Sequence, residues 1–168
     1  NPIAAEFGTI IFSKYPVIDQ GLIDFGPDTN NNVIYADLKI GLDTIRVYNM
    51  HLHSLHIDDA DVIKAEDIQA GFEDLTVRLK DGFINRSQQI RKLKQHLQAT
   101  HIPVLLCGDL NDLPYSYAYQ QLNNSLKNGF SQAGNGFGFT FNGNLFFLRI
   151  DHLFYSEQLQ IKGFTTHR

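Results

Sequence analysis

The sequence predicts an α+β fold built on a mostly antiparallel sheet, with helices between and outside its strands. Three features predict this class: strand patterns outnumber helical patterns, two apolar runs form a clear β-hairpin, and an amphipathic helix pattern precedes a buried strand. The chain has 168 residues, a length typical of one domain with a sizeable core. We therefore expect a single domain over residues 1–168.

Short apolar runs that end at Gly or Pro mark the first strands. "GTIIFSKYP" predicts a strand over residues 8–12 followed by a turn at Pro16, and "QGLIDFG" predicts a second strand. The clearest unit is "NNVIYADLKIGLDTIRVYNMH", which predicts a hairpin that turns at residues 41–43. One face of this hairpin is expected to carry Ile34, Ala36, Leu38, Ile40, Ile45 and Val47, followed on the same side by Asn49 and His51.

Helical patterns dominate the next stretch. Residues 57–82, acidic at first, predict a helix that ends in a loop around Asp81-Gly82. "FINRSQQIRKLKQHLQ" then predicts an amphipathic helix, with apolar Phe83, Ile90, Leu93 and Leu97 and a solvated basic face of Arg86, Arg91, Lys92 and Lys94. "VLLCG" predicts a buried strand, "YSYAYQQLNNSLK" a short helix, and "LRIDHLFYS" and "LQIKGFTT" two final strands.

Composition disfavours some classes of function and excludes an intrachain disulfide. The net charge of −4 argues against broad electrostatic attraction to nucleic acid or to anionic membranes. No apolar run approaches the ~18 residues that a spanning helix needs. Cys107 is the single cysteine, so an intrachain disulfide is excluded and the sequence indicates no compartment.

Polar clusters stand at three places where an apolar strand ends or is interrupted: "YNMHLHS", "GDLND" and "RIDH". Together they offer two carboxylates, one amide and two imidazoles, from Asp109, Asp151, Asn111, His51 and His152. A carboxylate inside an apolar strand needs a partner, because burying an unpaired charge is costly. Oxygen donors of this kind suit a hard cation such as Mg²⁺ or Mn²⁺, which binds one or two carboxylates together with water and substrate phosphate.

A second metal chemistry stays open at this point. "HLHSLH" places His51, His53 and His56 close together, which approaches the histidine pattern of zinc hydrolases. Leu55 occupies the position where that pattern has an aspartate, and the pattern leaves "GDLND" and "RIDH" unexplained. A zinc hydrolase is therefore the alternative from the histidine cluster, with exposed loop histidines as the simpler interpretation of His53 and His56.

The ordered blocks "GTIIFSKYP", "YNMHL", "GDLND" and "RIDHLFYS" resemble the endonuclease/exonuclease/phosphatase family, over most of residues 7–155. That family includes DNase I-like nucleases, sphingomyelinases, inositol-polyphosphate phosphatases and AP endonucleases. The resemblance implies a DNase I-like two-layered β-sandwich flanked by helices. It also implies Mg²⁺- or Mn²⁺-dependent hydrolysis of a phosphoester by an activated water. The substrate would be a nucleic acid, a phospholipid, or a sugar or inositol phosphate.

The resemblance also implies a role for each site residue. Asp109 would orient or deprotonate the water, and Asn111 would contact phosphate and metal. Asp151 would help to bind the metal, and His152 would hydrogen-bond the scissile phosphate. His51 matches a histidine that phosphatases, sphingomyelinases and DNase I-like enzymes share. Thr140, in "GFTF", is expected to support the site.

Two family blocks, one with an Asn and one with a metal-binding Glu, have no counterpart ahead of "GTIIFSKYP". The chain also opens on Asn1 rather than Met, so we expect a partial domain that lacks its N-terminal strands. Two further expectations follow. A catalytically incompetent fragment would act as a phosphate-binding module or scaffold. Open sheet edges would favour a homodimer or a domain swap.

Overall fold

The computed structural model describes residues 8–27, 29–54, 68–142 and 146–167. Within these ranges the chain forms strands and helices in the order β1 Val17–Asp24, β2 Asn32–Ile40, β3 Asp43–His51, α1 Ile68–Gln98, β4 Val104–Asp109, α2 Tyr117–Asn123, β5 Lys127–Asn128, α3 Gly129–Ala133 and β6 Asp151–Tyr155. None of the helices in these ranges is both long enough and apolar enough to span a membrane.

The described strands form one six-stranded sheet in the order β1-β2-β3-β4-β6-β5. Strands β3 and β4 are parallel, whereas every other neighbouring pair is antiparallel. A parallel pair needs a long crossover connection, and α1 lies in the connection between β3 and β4. The predicted α+β class with a mostly antiparallel sheet is therefore confirmed.

The predicted hairpin is β2 and β3, which pair from Asn32↔His51 to Ile40↔Asp43. Its turn contains Gly41 at φ 62°, a left-handed conformation that glycine adopts without strain. Both faces of the hairpin bury side chains. The face with Val33 and Tyr48 belongs to the main core, and the opposite face carries Ala36 and Leu38, as expected for one layer of a sandwich.

Helix α1 supplies the other half of the main core. Ile90 and Leu93 are fully buried and Leu97 packs beside them, which confirms the apolar stripe. The predicted loop around residues 81–82 is wrong, because α1 runs through it without a break. A single glycine costs a helix only about 1 kcal/mol, and Gly82 is buried in the described structure. Phe83, expected in the core, is instead 51% exposed.

Two predicted strands, at residues 8–12 and in "LQIKGFTT", are irregular in the structure. The Asn49 side chain donates to the Ile10 carbonyl oxygen at 3.0 Å. Asn49 lies on the sheet face opposite α1, so residues 8–12 approach that face and do not extend an edge of the sheet. The predicted strand at residues 8–12 is therefore wrong, and Ile10 and Phe12 are 59% and 88% exposed.

Candidate active site

Strand register brings three of the predicted site residues into one row. His51 on β3 is opposite Asp109 on β4, and Asp109 is opposite Asp151 on β6. Neighbouring strands are about 4.8 Å apart, so the three side chains lie side by side at one end of the sheet. The row is on the face opposite α1, since it alternates with the core residues of the same strands.

Backbone geometry at the end of β4 holds Asp109 in place. Gly108 has φ 128°, and a Cβ at this position would lie 2.1 Å from the Met50 carbonyl oxygen, so glycine alone fits. Asp109 Oδ1 accepts a hydrogen bond from the Asn111 backbone N–H at 2.7 Å. The Asn111 side chain, on a backbone with φ 50°, donates to the Leu52 carbonyl oxygen at 2.8 Å and so ties the loop to the end of β3.

Burial raises the pKa of Asp109 to about 6, against an ordinary value of 3.8. The Asn111 N–H lowers this pKa and the neighbouring Asp151 carboxylate raises it further, both by less than burial does. A carboxylate with a pKa near neutrality can accept a proton from water at physiological pH. Two carboxylates that repel each other are also stabilised by a cation between them.

The donor set fits a hard divalent cation. Asp109 and Asp151 supply carboxylate oxygens, and Asn111 can supply its amide oxygen because its amide nitrogen is committed to Leu52. Within the described ranges, no group of three or more His, Cys, Asp or Glu side chains is arranged to hold a metal ion. A Mg²⁺-type site takes one or two carboxylates and leaves water and substrate to complete the coordination, which these donors would allow.

His152 lies apart from this row. It occupies the α1 face of β6, is 4% exposed, and its Nε2 lies 3.1 Å from the Asp112 carbonyl oxygen. Its Nδ1 is buried without a hydrogen-bond partner in the part of the chain that the structure describes. Burial lowers the pKa of His152 to about 4, so the imidazole is neutral at physiological pH. In this structure the ring supports the backbone of the "GDLND" loop.

Thr140 fixes the beginning of β6. Its Oγ1 accepts hydrogen bonds from the backbone N–H groups of Ile150 and Asp151, each at 3.1 Å. One hydroxyl thus holds the two backbone groups that position the Asp151 carboxylate. This agrees with the expectation that Thr140 supports the site.

Arg86 and Gln89 of α1 form a clamp on the loops that follow β3 and β4, which the sequence patterns did not predict. Arg86, expected on a solvated face, is buried: its Nε donates to Asp112 Oδ2 at 3.0 Å and its Nη1 to the His53 carbonyl oxygen at 3.1 Å. Gln89 Oε1 accepts from the His53 backbone N–H at 2.9 Å. Because Arg86 precedes Ile90 by four residues, helical periodicity places it beside the core, and this signal could have revealed it.

The structure describes two of the three histidines behind the zinc alternative, His51 and His53. His51 lies on the sheet in the row with Asp109, whereas His53 follows the strand and its Nδ1 is 3.5 Å from Asn31 Nδ2. His56 lies outside the described residues. Strand register places His51 beside Asp109, and His51 and His53 line the same cleft.

A cleft of about 830 Å³ opens beside the row. His51, Asp109 and Asn111 form one end of it, and the loop between β1 and β2 and one face of α1 form its walls. A cleft of this size accommodates a small-molecule ligand or one portion of a larger substrate.

Several solved structures share this architecture. The human Nocturnin catalytic domain matches 85% of this chain and 48% of its own, at 15% identity and a TM-score of 0.55. Sphingomyelinase C from Streptomyces griseocarneus matches 90% of this chain and 53% of its own, at 19% identity and a TM-score of 0.57. A humanized D. rerio TDP2 matches 83% and 51%, at 16% identity and a TM-score of 0.54.

These likenesses confirm the predicted DNase I-like fold, and the chain spans about half the length of these proteins. A search of curated proteins finds no match. The sequence resemblance itself is confirmed by a family model. That model, of the Endonuclease/Exonuclease/phosphatase family, matches residues 2–168, and this chain therefore belongs to that family.

Proposed function

We propose that this chain is the catalytic part of a phosphoester hydrolase that uses Mg²⁺ or Mn²⁺. Members of its family are hydrolases acting on phosphoesters. The observation that carries the proposal is the row His51–Asp109–Asp151, in which two carboxylates and an imidazole lie side by side, with His51 and Asp109 at the wall of one cleft. The substrate class is a phosphoester of a nucleic acid, a phospholipid, or a sugar or inositol phosphate.

Asp109 would orient the attacking water or take its proton, since its carboxylate lies at the wall of the cleft beside Asn111. Asp109, Asp151 and Asn111 Oδ1 would hold the metal ion, which would offset negative charge on the phosphoryl group. His51, on the strand next to that of Asp109, would donate a hydrogen bond to a phosphoryl oxygen. A direct hydrogen bond from His152 to the phosphate stays a prediction. In this structure the His152 ring contacts the Asp112 carbonyl oxygen.

The experiment is hydrolysis of bis(p-nitrophenyl) phosphate by this chain with Mg²⁺ or Mn²⁺, compared with EDTA. Asp109→Asn removes the base, and Asp43→Asn beside the exposed β2–β3 turn is the matched control. We expect turnover that chelation and Asp109→Asn abolish and that Asp43→Asn leaves unchanged. Turnover that persists in Asp109→Asn would overturn the proposal, and zinc dependence of that persistent activity would favour the histidine cluster.

A second function stays an alternative, and metal binding without turnover is the observation that would distinguish it. A partial domain can bind metal and phosphate without turning over, as a phosphate-binding module or scaffold. Metal-dependent phosphate binding without hydrolysis, unchanged when an upstream segment is added to the chain, would select this alternative. A homodimer or a domain swap would involve the edge strand β1, where Ile18 and Leu22 are exposed, and light scattering would detect it.

A further inference from the structure

The walls of the cleft are rich in side-chain amides. Asn85, Gln88, Gln89 and Lys92 of α1 all line it, and their spacing of three, four and seven residues places them on one stripe of the helix. Asn30 and Asn31 line the opposite wall from the loop between β1 and β2. The adjacent stripe of α1 is the apolar one with Ile90 and Leu93. One helix thus presents one stripe to the core and another to the cleft.

Charge and polarity restrict what this cleft can bind. Among the described lining residues the side chains of Phe25 and Pro27 are the apolar ones, and Lys92 is the permanent cation. The Lys92 ammonium donates to the Asp24 carbonyl oxygen at 3.2 Å, which holds it at the rim of the cleft. A polyphosphate needs several cations or a bidentate arginine, and an acyl chain would leave the amides without hydrogen-bond partners.

Part of the amide set is already committed to the protein. Gln89 Oε1 accepts from the His53 N–H at 2.9 Å, and Asn31 Nδ2 lies 3.5 Å from His53 Nδ1, so both side chains have partners within the protein. Asn85 is half-buried and Gln88 is exposed at the mouth, where a ligand can reach them. Each amide offers two donors and an acceptor, a combination that matches hydroxyl groups, which both donate and accept.

We propose that this cleft is a subsite for an uncharged ring with several hydroxyl groups, the sugar or cyclitol ring that carries the phosphate. The inference rests on the proposed function for the position of the phosphate, at Asp109 and Asn111. It adds the substrate class: a ring phosphate is preferred to a phosphate with an aliphatic or quaternary-ammonium group. The cleft volume of about 830 Å³ accommodates one such ring with its phosphate.

The test is an NMR titration of the ¹⁵N-labelled chain in the presence of Mg²⁺. Binding is measured from the side-chain amide signals of Asn and Gln. The probes are ribose 5-phosphate, inositol 1-phosphate, phosphocholine and inorganic phosphate. We expect both ring phosphates to bind about tenfold or more tighter than phosphocholine, since two hydrogen bonds contribute about 1 kcal/mol each. Asn85→Ala and Gln88→Ala should each lower the affinity for the ring phosphates roughly fivefold and leave the affinity for inorganic phosphate unchanged.

Gln95→Ala is the matched control, because Gln95 is on the same helix, is exposed, and does not line the cleft. Ring phosphates that bind no tighter than phosphocholine, or that are insensitive to both cleft variants, would overturn the subsite. Relative affinity of the two ring phosphates identifies a pentose or a cyclitol as the source. If inorganic phosphate does not bind, the proposed function fails, and methyl riboside and myo-inositol then test the subsite alone. Perturbation of the Asn85 and Gln88 amide signals by either compound would support it, and unchanged signals would overturn it.

Discussion

Asp109→Asn is expected to stabilise the metal-free protein, although it removes the proposed catalytic base. Burial raises the pKa of Asp109 from 3.8 to about 6, so the charged carboxylate is less favourable in the folded state than in the unfolded state. The cost is about 3 kcal/mol when the group is fully ionised. Since the side chain is partly open to solvent, we expect about 2 kcal/mol to be realised.

The sign of the pH dependence follows from proton binding. Between pH 3.8 and about 6 the folded state binds more protons at Asp109 than the unfolded state does, so this group lowers stability as pH rises through that window. The penalty is complete above about pH 6 and absent below pH 3.8. Asn carries no charge, and its Oδ1 can still accept the hydrogen bond from the Asn111 N–H. The gain from Asp109→Asn should therefore be present at about pH 8 and vanish near pH 4.

The assay is urea denaturation in EDTA at about pH 8, 6 and 4, monitored by circular dichroism. Asp112→Asn is the matched control: it is the same chemical change three residues away, but it removes the partner of the buried Arg86 and should destabilise the protein by about 3 kcal/mol. A variant Asp109→Asn that is no more stable than the wild type at the highest pH would refute the argument. Added Mg²⁺ should then stabilise the wild type more than the variant, because the ion binds the native carboxylates.

Three further predictions concern residues outside the row. Arg86→Ala should cost about 3 kcal/mol in urea denaturation because it removes the buried guanidinium that binds Asp112 and the His53 carbonyl oxygen, whereas Arg91→Ala on the exposed side of α1 should cost less than about 0.5 kcal/mol. Burial lowers the pKa of His96 below its ordinary 6.5, so the unfolded state binds the extra proton and stability should fall as pH drops below 6.5. His96→Gln should reduce the fall in melting temperature between about pH 7 and 5. A pH dependence equal to that of the wild type would contradict this. Gly108→Ala should abolish soluble expression, because its Cβ would meet a backbone oxygen at 2.1 Å, whereas Gly8→Ala, with nothing within 4 Å, should express normally.

Much of the fold follows from local sequence patterns. The β2–β3 hairpin, the apolar stripe of α1 and the buried strand β4 each have a period or a turn signal that is complete within one segment. The predictions that were wrong concern segments whose structure depends on distant neighbours. Residues 8–12 have the composition of a strand, but whether they pair is decided by β1 and β2. The helix break expected at Gly82 was overruled by packing along α1.

The sequence patterns predicted residues for the candidate site but not how those residues are arranged. Polar clusters at strand ends identified Asp109, Asp151 and His51 one at a time, whereas their alignment in a single row depends on the register of three strands. The same register separates His152 from Asp151, because consecutive residues of a strand point to opposite faces. Arg86 was missed because its charge suggested solvent, while its position in the helical repeat placed it beside Ile90.

The parallel pairing of β3 and β4 explains why one helix carries so much of the site. These strands supply His51 and Asp109 at the same end of the sheet, and a parallel pair requires a crossover, which here contains α1. Three stripes of that helix then have different roles: Ile90 and Leu93 pack in the core, Arg86 clamps the loops that follow both strands, and Asn85 and Gln88 face the cleft. Substitutions at Asn85 and Gln88 can therefore change which ring is bound without disturbing the clamp or the core, whereas Gln89 belongs to both the cleft and the clamp. If the amide subsite exists, substrate preference should be separable by mutation from both stability and chemistry.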